Sequence, residues 1–259
     1  MASAQIMEVT TTIVVPVYNE QRRLRTSAFT DFVAKNPNVR ILFANDGSTD
    51  GTKDILEQLC RHPSGQLTYL DLAQNSGKAE AVRTGIAAAL ADPRNQYVGY
   101  LDADLSTPVS EIPEFIKILN ERPHVTMVLG SRVKLLGRLI KRRAVRHYVG
   151  RVFATVASIV LRIGVYDTQC GAKLLRVSPQ TKSIFASPFS SRWIFDVEII
   201  ARLARETRCS GDRLAAIMVE YPLSEWQEVR GSKLKPLDFV VAFLEMVSIY
   251  TRYHRDLKQ

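Results

Sequence analysis

Short β-branched runs alternate with longer amphipathic runs along the first hundred residues, and this alternation predicts strands and helices in turn. The predicted strands are residues 11–17, 40–44, 67–72 and 97–101, and the predicted helices are residues 52–60 and 79–90. Successive parallel strands need long crossover connections, which are usually helical. The pattern therefore predicts an α/β fold with a mostly parallel central sheet flanked by helices.

In the second half of the chain the amphipathic segments are longer. They predict strands at 125–130 and 215–221 and helices at 141–162, 196–206 and 237–255. In the first of these helices the apolar positions recur at helical spacing: Val145, Tyr148, Val149, Val152, Phe153, Val156, Ile159, Val160 and Ile163. We expect one main domain over residues 1–235. Residues 236–259 are expected to form an amphipathic helix that joins the same domain or contacts a membrane or a second copy.

The formal net charge of +9 is concentrated in one block. Ten Lys or Arg and no Asp or Glu lie between Arg122 and Tyr166, which leaves 25 basic and 26 acidic residues elsewhere. A local basic block favours an anionic partner, such as nucleic acid, an anionic membrane surface or a phosphorylated substrate. The alternative is a solvated face of a helix.

The cysteines and the apolar runs indicate where the protein acts. Cys60, Cys170 and Cys209 are far apart, so no metal-binding cysteine pair is present and a reducing compartment is expected. The N-terminus lacks a signal-peptide pattern, and the longest apolar run, 152–161, is too short to span a bilayer. We expect a cytoplasmic protein, soluble or attached peripherally to the cytoplasmic face of a membrane.

Two carboxylates stand directly after the predicted strand at 97–101. Asp102 and Asp104 are spaced i, i+2 and are followed by a Ser-Thr-Pro turn. They therefore emerge at the rim of the sheet, where open α/β sheets bind ligands. Hard oxygen ligands of this kind suit Mg²⁺ or Mn²⁺ held against a diphosphate. A solvated acidic turn is the alternative.

Other strand-end loops carry residues suited to a nucleotide. Tyr18 could stack on a base, and Glu20 and Asp46 could accept hydrogen bonds from ribose or base. Gly77 and Lys78 precede a predicted helix N-terminus, which favours phosphate. Each of these could instead be a turn or capping residue. Neither a P-loop nor a Gly-x-Gly-x-x-Gly fingerprint is present.

Four strand-end segments, residues 16–20, 45–51, 75–85 and 102–108, occur in this order along the chain. Together they resemble the family 2 glycosyltransferases, which have the GT-A nucleotide-sugar-binding fold. The match continues through residues 129–132, 167–174, 192–198 and 225–233. These later segments resemble the members that transfer a hexose to dolichyl or other polyprenyl phosphates. The resemblance covers roughly residues 11–233.

The resemblance implies a nucleoside site, a metal site and a phosphate site. The nucleoside would contact Pro16, Tyr18, Glu20 and Asp46, with Gly47, Ser48, Gly77, Lys78 and Arg83 as further substrate-binding residues. Mg²⁺ or Mn²⁺ would be ligated by Asp102, Asp104 and Gln169, and the catalytic set would be Asp104, Gln169 and Asp196. Phosphates would meet Arg132, Arg230, Ser232 and Lys233, and Trp193 would contact substrate.

The resemblance also implies an inverting transfer of glucose from UDP-glucose to a polyprenyl phosphate. The partners would be the nucleotide-sugar donor, the lipid acceptor and an anionic membrane surface. No nucleic-acid partner is implied, and a homo-oligomer is possible.

The Ser-Thr-Pro turn at 106–108 stands where mannose-transferring members carry Gln-His-Pro, which favours the glucosyl branch. Two other departures are Ala79 in place of a second glycine and Arg230 in place of an acidic residue. GDP-mannose is the alternative donor.

The acceptor decides whether a general base is needed. A phosphate is already anionic and attacks without one, whereas a sugar hydroxyl needs a carboxylate such as Asp196 or Glu198. A family 2 enzyme with a soluble phosphorylated or saccharide acceptor is therefore the nearer alternative. A nucleic-acid-binding protein would explain the basic block but not the strand-end loops. A sugar nucleotidyltransferase would need a glycine-rich basic N-terminal loop, which is missing.

Overall fold

A seven-stranded sheet forms the centre of the structure, a computed structural model that describes residues 10–141, 144–229 and 236–258. The strands are β1 (Thr11–Val17), β2 (Val39–Asn45), β3 (Leu67–Asp71), β4 (Tyr97–Leu101), β5 (Met127–Ser131), β6 (Leu139–Lys141), β7 (Ala172–Arg176), β8 (Met218–Pro222) and β9 (Glu225–Gln227). The helices are α1 (Thr26–Lys35), α2 (Thr52–Cys60), α3 (Lys78–Leu90), α4 (Ile112–Glu121), α5 (Ala144–Leu161), α6 (Pro179–Ala186), α7 (Phe195–Thr207), α8 (Gly211–Ala216) and α9 (Pro236–Tyr253).

The central sheet has the strand order β3-β2-β1-β4-β7-β5-β8. The first four strands of this order are parallel to one another, whereas β7 is antiparallel to both of its neighbours. β8 is parallel to β5, and β6 and β9 form a separate parallel pair. The predicted α/β fold with a mostly parallel sheet is confirmed.

The register of the strands brings their ends to one edge. Val17 pairs with Asn45, and Asn45 pairs with Asp71, so β1, β2 and β3 end at the same level. Because β7 runs in the opposite direction, it begins at this edge, and its first residue, Ala172, pairs with Leu101 at the end of β4. The segment that precedes β7 therefore meets the loops that follow the parallel strands.

Helices cover both faces of the sheet. On one face α3, α5, α7 and α9 pack over the strands, and their buried side chains include Leu161, Ile200 and Ile249. On the other face α1, α2 and α4 contribute Phe29, Leu56 and Phe115. The strands are thus buried on both faces, which is why β1, β2 and β4 are apolar along most of their length.

The predicted long helix exists as α5, but its predicted apolar stripe was wrong at two positions. Val152 and Ile159 are 66% and 71% exposed, whereas Ala154, Ala157 and Leu161 form the buried side. Small side chains let α5 approach its neighbours closely, so the larger β-branched residues lie outward. Val145, Tyr148 and Val149 lie outside the residues whose side chains the structure describes.

Other predictions from periodicity also needed adjustment. The strand predicted at 215–221 begins later than expected. Ala215 and Ala216 are the last residues of α8, and the strand begins at Met218. Periodicity did not predict α1, α4 or α6. Within the described ranges, no helix has both the length and the apolarity that crossing a bilayer requires.

A buried carboxylate joins α7 to α9. Glu198, in the first turn of α7, accepts hydrogen bonds from the backbone N–H groups of Ser190 and Ser191 and from Arg202 and Tyr253. Burial alone would raise the pKa of Glu198. The amide donors and Arg202 outweigh burial and hold that pKa below its usual value. Glu198 therefore stabilises the fold as an anion.

Replacing Glu198 by Gln is expected to lower the free energy of unfolding at pH 7 by about 3 kcal/mol, because buried Arg202 loses its anionic partner. The folded-state pKa of Glu198 is lowered, so its contribution is present above the unfolded-state pKa and is lost as pH falls through the folded-state pKa. Urea unfolding of the wild type and of E198Q should show that the difference between their free energies of unfolding decreases from pH 7 to pH 3. Glu121→Gln, at an exposed carboxylate, is the control. Equal stability of E198Q and wild type at pH 7 would contradict this assignment.

Candidate active site

An open cleft of about 890 Å³ lies at the edge where the parallel strands end. The sequence-predicted residues that line it are Pro16, Tyr18, Glu20, Asp46, Gly77, Lys78, Asp102, Asp104, Arg132, Gln169, Trp193 and Asp196. Gly47, Ser48 and Arg83 are described but do not line it. Arg230, Ser232 and Lys233 lie outside the described residues. The strand-end loops thus come together as the sequence predicts.

Asp46 organises the loop between β3 and α3. Its Oδ1 accepts from the N–H of Ser76 at 2.7 Å, and its Oδ2 accepts from the N–H of Gly77 at 2.8 Å and from the Asn75 amide at 3.0 Å. The Gly77 N–H that was expected to bind phosphate is therefore already engaged. The Lys78 side chain, which lines the cleft, is a candidate group for a phosphate at this loop.

Gly47 and Ser48 support the cleft from behind. Gly47 has a φ of +62°, and a Cβ there would lie 2.5 Å from the backbone carbon of Gln74, so only glycine fits. The Ser48 hydroxyl donates to Oδ1 of Asn45 at 2.6 Å and accepts from the N–H of Asn19 at 3.0 Å. These contacts join the strand-end loops, and the predicted substrate contacts of Gly47 and Ser48 stay predictions.

Arg83 is placed away from the cleft. Its guanidinium pairs with Glu80 at 2.5 and 2.8 Å and donates to the carbonyl of Phe185 at 3.2 Å. The pair is spaced i, i+3 on α3, and Phe185 lies on α6. In this structure the guanidinium holds α3 to α6, and the predicted substrate contact of Arg83 stays a prediction.

Lys78 and Asp102 form an ion pair inside the cleft. Nζ of Lys78 lies 2.6 Å from Oδ1 of Asp102, and the two side chains are 40% and 33% exposed. Burial raises the pKa of Asp102, Lys78 lowers it in part, and Asp104 and Asp196 raise it, so the pKa stays above its usual value. Burial alone would lower the pKa of Lys78, but Asp102 and Asp196 outweigh it and raise that pKa. The carboxylates therefore favour a cation here.

Gly171 allows Asp102 to occupy this place. A Cβ on residue 171 would lie 2.0 Å from Oδ2 of Asp102, and the Asp102 N–H donates to the Gly171 carbonyl at 2.9 Å. Only glycine permits so close an approach. In the following turn, Oδ1 of Asp104 accepts from the N–H of Ser106 at 2.9 Å. The Asp102 backbone and the Asp104 carboxylate are thus each held by a backbone contact.

The donor set fits a divalent cation that takes part of its coordination shell from a diphosphate. In the part of the chain that the structure describes, no three His, Cys, Asp or Glu side chains cluster closely enough to hold a metal alone. Asp102 and Asp104 supply the one or two carboxylates with which proteins usually hold Mg²⁺ against substrate phosphates and water. The Lys78 ammonium shows that Asp102 already attracts a cation. Nε2 of Gln169 is buried without a hydrogen-bond partner among the described residues, so this N–H donor is available to an acceptor oxygen such as one of a phosphate.

Asp196, at the start of α7, is paired with two groups of the sheet. The buried Lys173 ammonium and the Tyr100 hydroxyl both donate to its Oδ1, and Lys173 also donates to the Cys170 carbonyl at 2.8 Å. Burial, together with Asp196, raises the pKa of Tyr100 well above its usual value. A carboxylate already paired with a buried ammonium is poorly suited to remove a proton from a hydroxyl. Glu198, the other candidate base, does not line the cleft.

Arg132 is a fixed cation of the cleft wall. Its Nε and Nη2 contact the two carboxylate oxygens of Asp167 at 2.6 and 2.7 Å, and its guanidinium lies 5.4 Å from the Trp226 ring centroid. Burial alone would lower the pKa of Arg132, but Asp167 raises it above its usual value. The Asp167 N–H in turn donates to Glu220 at 2.6 Å. The guanidinium is therefore charged and oriented before any ligand arrives.

Sequence reasoning missed Lys173, Asp167, Trp226 and Arg192 as parts of the site. Lys173 did give a signal, because it interrupts a buried apolar strand, where a charge needs a buried partner. The other three lie in segments 167–174, 192–198 and 225–233 that carry the family resemblance, but their roles depend on contacts between segments that are distant in the chain.

Comparison with known proteins identifies the family. A family model described as glycosyl transferase family 2 matches residues 12–180. Curated relatives include dolichyl-phosphate beta-glucosyltransferases. The Trichomonas vaginalis protein is 31% identical over 93% of this chain and 71% of its own length. The Dictyostelium discoideum protein is 31% identical over 93% of this chain and 74% of its own length. The Saccharomyces cerevisiae protein is 28% identical over 97% of this chain and 78% of its own length.

Solved structures give the same fold. Glucosyl-3-phosphoglycerate synthase from Mycobacterium tuberculosis, in complex with Mn²⁺, UDP and glucosyl-3-phosphoglycerate, has a TM-score of 0.61 at 19% identity, over 95% of this chain and 80% of that one. The mannosyltransferase PcManGT from Pyrobaculum calidifontis, in complex with GDP-Man and Mn²⁺, has a TM-score of 0.60 at 18% identity, over 95% and 64%. At these identities the likeness establishes the GT-A fold.

The family match covers more than half of the chain and includes the four strand-end loops that build the cleft. The fold and the loop order agree with it. The chain therefore belongs to glycosyl transferase family 2 and is a glycosyltransferase with the GT-A fold.

Proposed function

We propose that this glycosyltransferase moves glucose from UDP-glucose to the phosphate of a polyprenyl lipid such as dolichyl phosphate, with inversion at the anomeric carbon. One observation carries the proposal: the Asp196 carboxylate is paired with Lys173 and is poorly suited to act as a base, and the oriented cations Lys78 and Arg132 line the same cleft. Relatives named dolichyl-phosphate beta-glucosyltransferases support the same acceptor.

The chemistry explains why this charge arrangement suits a phosphate acceptor. An acceptor phosphate oxygen attacks the anomeric carbon of the donor, and the bond from that carbon to the diphosphate breaks. The bonding electron pair leaves with the UDP. Because the acceptor oxygen is already anionic, no proton has to be removed. The site then has to position two anionic groups and to compensate their charge.

The cleft provides for both ends of the reaction. Asp102 and Asp104 would hold Mg²⁺ or Mn²⁺, with Gln169 beside them, and the ion would neutralise the charge that develops on the leaving diphosphate. Lys78 and Arg132 both line the cleft, and we assign Lys78 to the donor diphosphate and Arg132 to the acceptor phosphate. Tyr18 would stack on the base at the end of β1.

The outer surface supports a lipid acceptor. Exposed apolar side chains lie on two neighbouring helices: Val152 and Ile159 on α5, and Phe243, Leu244, Val247 and Tyr250 on α9. The basic block between Arg122 and Tyr166 includes α5. Apolar residues beside basic ones suit peripheral attachment to an anionic membrane surface. We therefore propose peripheral attachment to a membrane, with the cytoplasmic face as the sequence-based expectation.

A soluble phosphorylated acceptor is the second candidate, because the cleft cations would also compensate a small phosphate ester. A radiolabel transfer assay separates the candidates by offering UDP-glucose, GDP-mannose or UDP-N-acetylglucosamine against polyprenyl phosphate or phosphoglycerate. The proposal expects transfer from UDP-glucose to polyprenyl phosphate, dependent on Mg²⁺ or Mn²⁺ and abolished by a chelator. Transfer to phosphoglycerate alone would favour the second candidate. Transfer from GDP-mannose alone would show that GDP-mannose, and not UDP-glucose, is the donor.

Asp104→Asn is expected to lower the transfer rate more than about 100-fold, because one of the two charged oxygen ligands for the cation is lost. The rate should be measured at saturating Mn²⁺ together with the thermal midpoint, which should stay unchanged. Asp54→Asn, at an exposed carboxylate on α2, is the matched control and should keep full activity. Full activity of D104N would refute the metal assignment.

Replacing both Phe243 and Leu244 by Ser is expected to weaken binding to anionic vesicles about 10-fold, because two apolar side chains no longer enter the interface. Both residues are 61% exposed, so the fold should be retained. Sedimentation with phosphatidylserine vesicles measures the partition, and Ala87→Ser, on the exposed part of α3, is the control. Unchanged partition of the double variant would exclude α9 from the membrane contact.

A further inference from the structure

A carboxylate from α9 holds the segment that begins α7. The backbone N–H groups of Arg192, Trp193 and Ile194 all donate to Glu245, at 2.8, 3.1 and 3.2 Å. The first N–H groups of a helix lack partners within the helix, and Ile194, at the N-cap, provides no side-chain hydrogen bond. Glu245 accepts from the N-cap N–H and from the two N–H groups before it, and its negative charge is favourable at a helix N-terminus. α9 is thereby connected to the wall of the cleft.

The Arg192 side chain reaches the loop that precedes α3. Its Nη2 and Nε lie 3.6 and 3.8 Å from the position that a Cβ on Gly77 would occupy. Gly77 is followed directly by Lys78, which contacts Asp102. Arg192, Lys78 and Asp102 all line the cleft. The guanidinium is thus placed beside the donor side of the site.

Arg192 differs from the other arginines of the cleft wall. Arg23 is paired with Glu20 at 2.5 Å, and Arg132 is paired with Asp167 at 2.6 Å. Among the residues that the structure describes, Arg192 forms no ion pair. Its N–H donors are therefore available to a ligand. The planar guanidinium fork matches the oxygens of a phosphate group.

We propose that the Arg192 guanidinium is a phosphate ligand of the cleft and that Glu245 on α9 is the residue that positions it. The ligand is either the diphosphate of the donor or the phosphate of the acceptor. The inference rests on the proposed function for the identity of the acceptor. Phosphate binding can nevertheless be measured without turnover.

The two residues can be separated by mutation. Glu245 contacts backbone N–H groups of the segment, so its influence on a phosphate passes through the position of Arg192. Arg192→Ala removes the guanidinium but keeps the backbone N–H that donates to Glu245. Arg192→Lys keeps the charge but loses the fork, and its effect should be intermediate.

The test is calorimetric titration of the full chain with UDP in the presence of Mn²⁺, with uridine, and with inorganic phosphate. Arg192→Ala should weaken binding of UDP or inorganic phosphate about 10-fold or more, as expected for a charge-assisted hydrogen bond, and should leave uridine binding unchanged. Arg61→Ala, at an exposed arginine after α2, is the matched control. Unchanged affinity for both phosphate ligands would overturn the assignment of Arg192.

The double variant tests the positioning role. Glu245→Ala should weaken the same ligand as Arg192→Ala, and the double variant should bind no more weakly than R192A, because Glu245 acts through Arg192. Additive losses, or a lowered thermal midpoint with unchanged affinity, would overturn the positioning role. If E245A does not fold, the isosteric Glu245→Gln change replaces it in the same comparison.

The ligands identify which phosphate Arg192 binds. A loss confined to UDP assigns the guanidinium to the donor diphosphate. A loss confined to inorganic phosphate, with a raised KM for polyprenyl phosphate, assigns it to the acceptor. A wild-type protein that binds UDP or inorganic phosphate through Arg192 but does not glucosylate polyprenyl phosphate would refute the proposed acceptor and leave the role of Arg192 intact.

Discussion

The close approach of β7 to the end of β4 is the constraint on which the site depends. Gly171 leaves space for the Asp102 carboxylate, since a side chain there would overlap it. Because β7 is antiparallel to β4, it begins at the edge where the parallel strands end. This reversal brings Asp167, Gln169 and Lys173 to the same edge as Asp102. A wholly parallel sheet would have placed the start of this strand at the opposite edge.

Charge compensation follows from that arrangement. Asp102 is paired with Lys78, Asp196 with Lys173, and Arg132 with Asp167. An isolated buried charge is costly, so each of these groups is held at a fixed position by its partner. A site built in this way is suited to binding anionic groups and orienting them. It is less suited to proton transfer, because its central carboxylate at α7 is already neutralised.

The C-terminal helix belongs to both the core and the cleft. Met246, Ile249 and Tyr253 are buried against α7, while Glu245 holds the segment that begins α7. The opposite face of α9 is exposed and apolar at Phe243 and Leu244. One helix therefore links a surface suited to a lipid interface with the wall of the cleft. The expectation that residues 236–259 join the same domain or contact a membrane or a second copy stays a prediction.

The sequence by itself determined the elements whose signals are local. β1, α2 and β4 begin and end at the predicted residues, because β-branched runs and helical periodicity are encoded by neighbouring positions. The loop order predicted that Asp102 and Asp104 stand at the ligand edge. Only the tertiary structure decided which partners these side chains meet. It joined Arg83 to the Phe185 carbonyl outside the cleft, buried Lys173 against Asp196, and turned Val152 outward, because these placements depend on how elements far apart in the chain pack together.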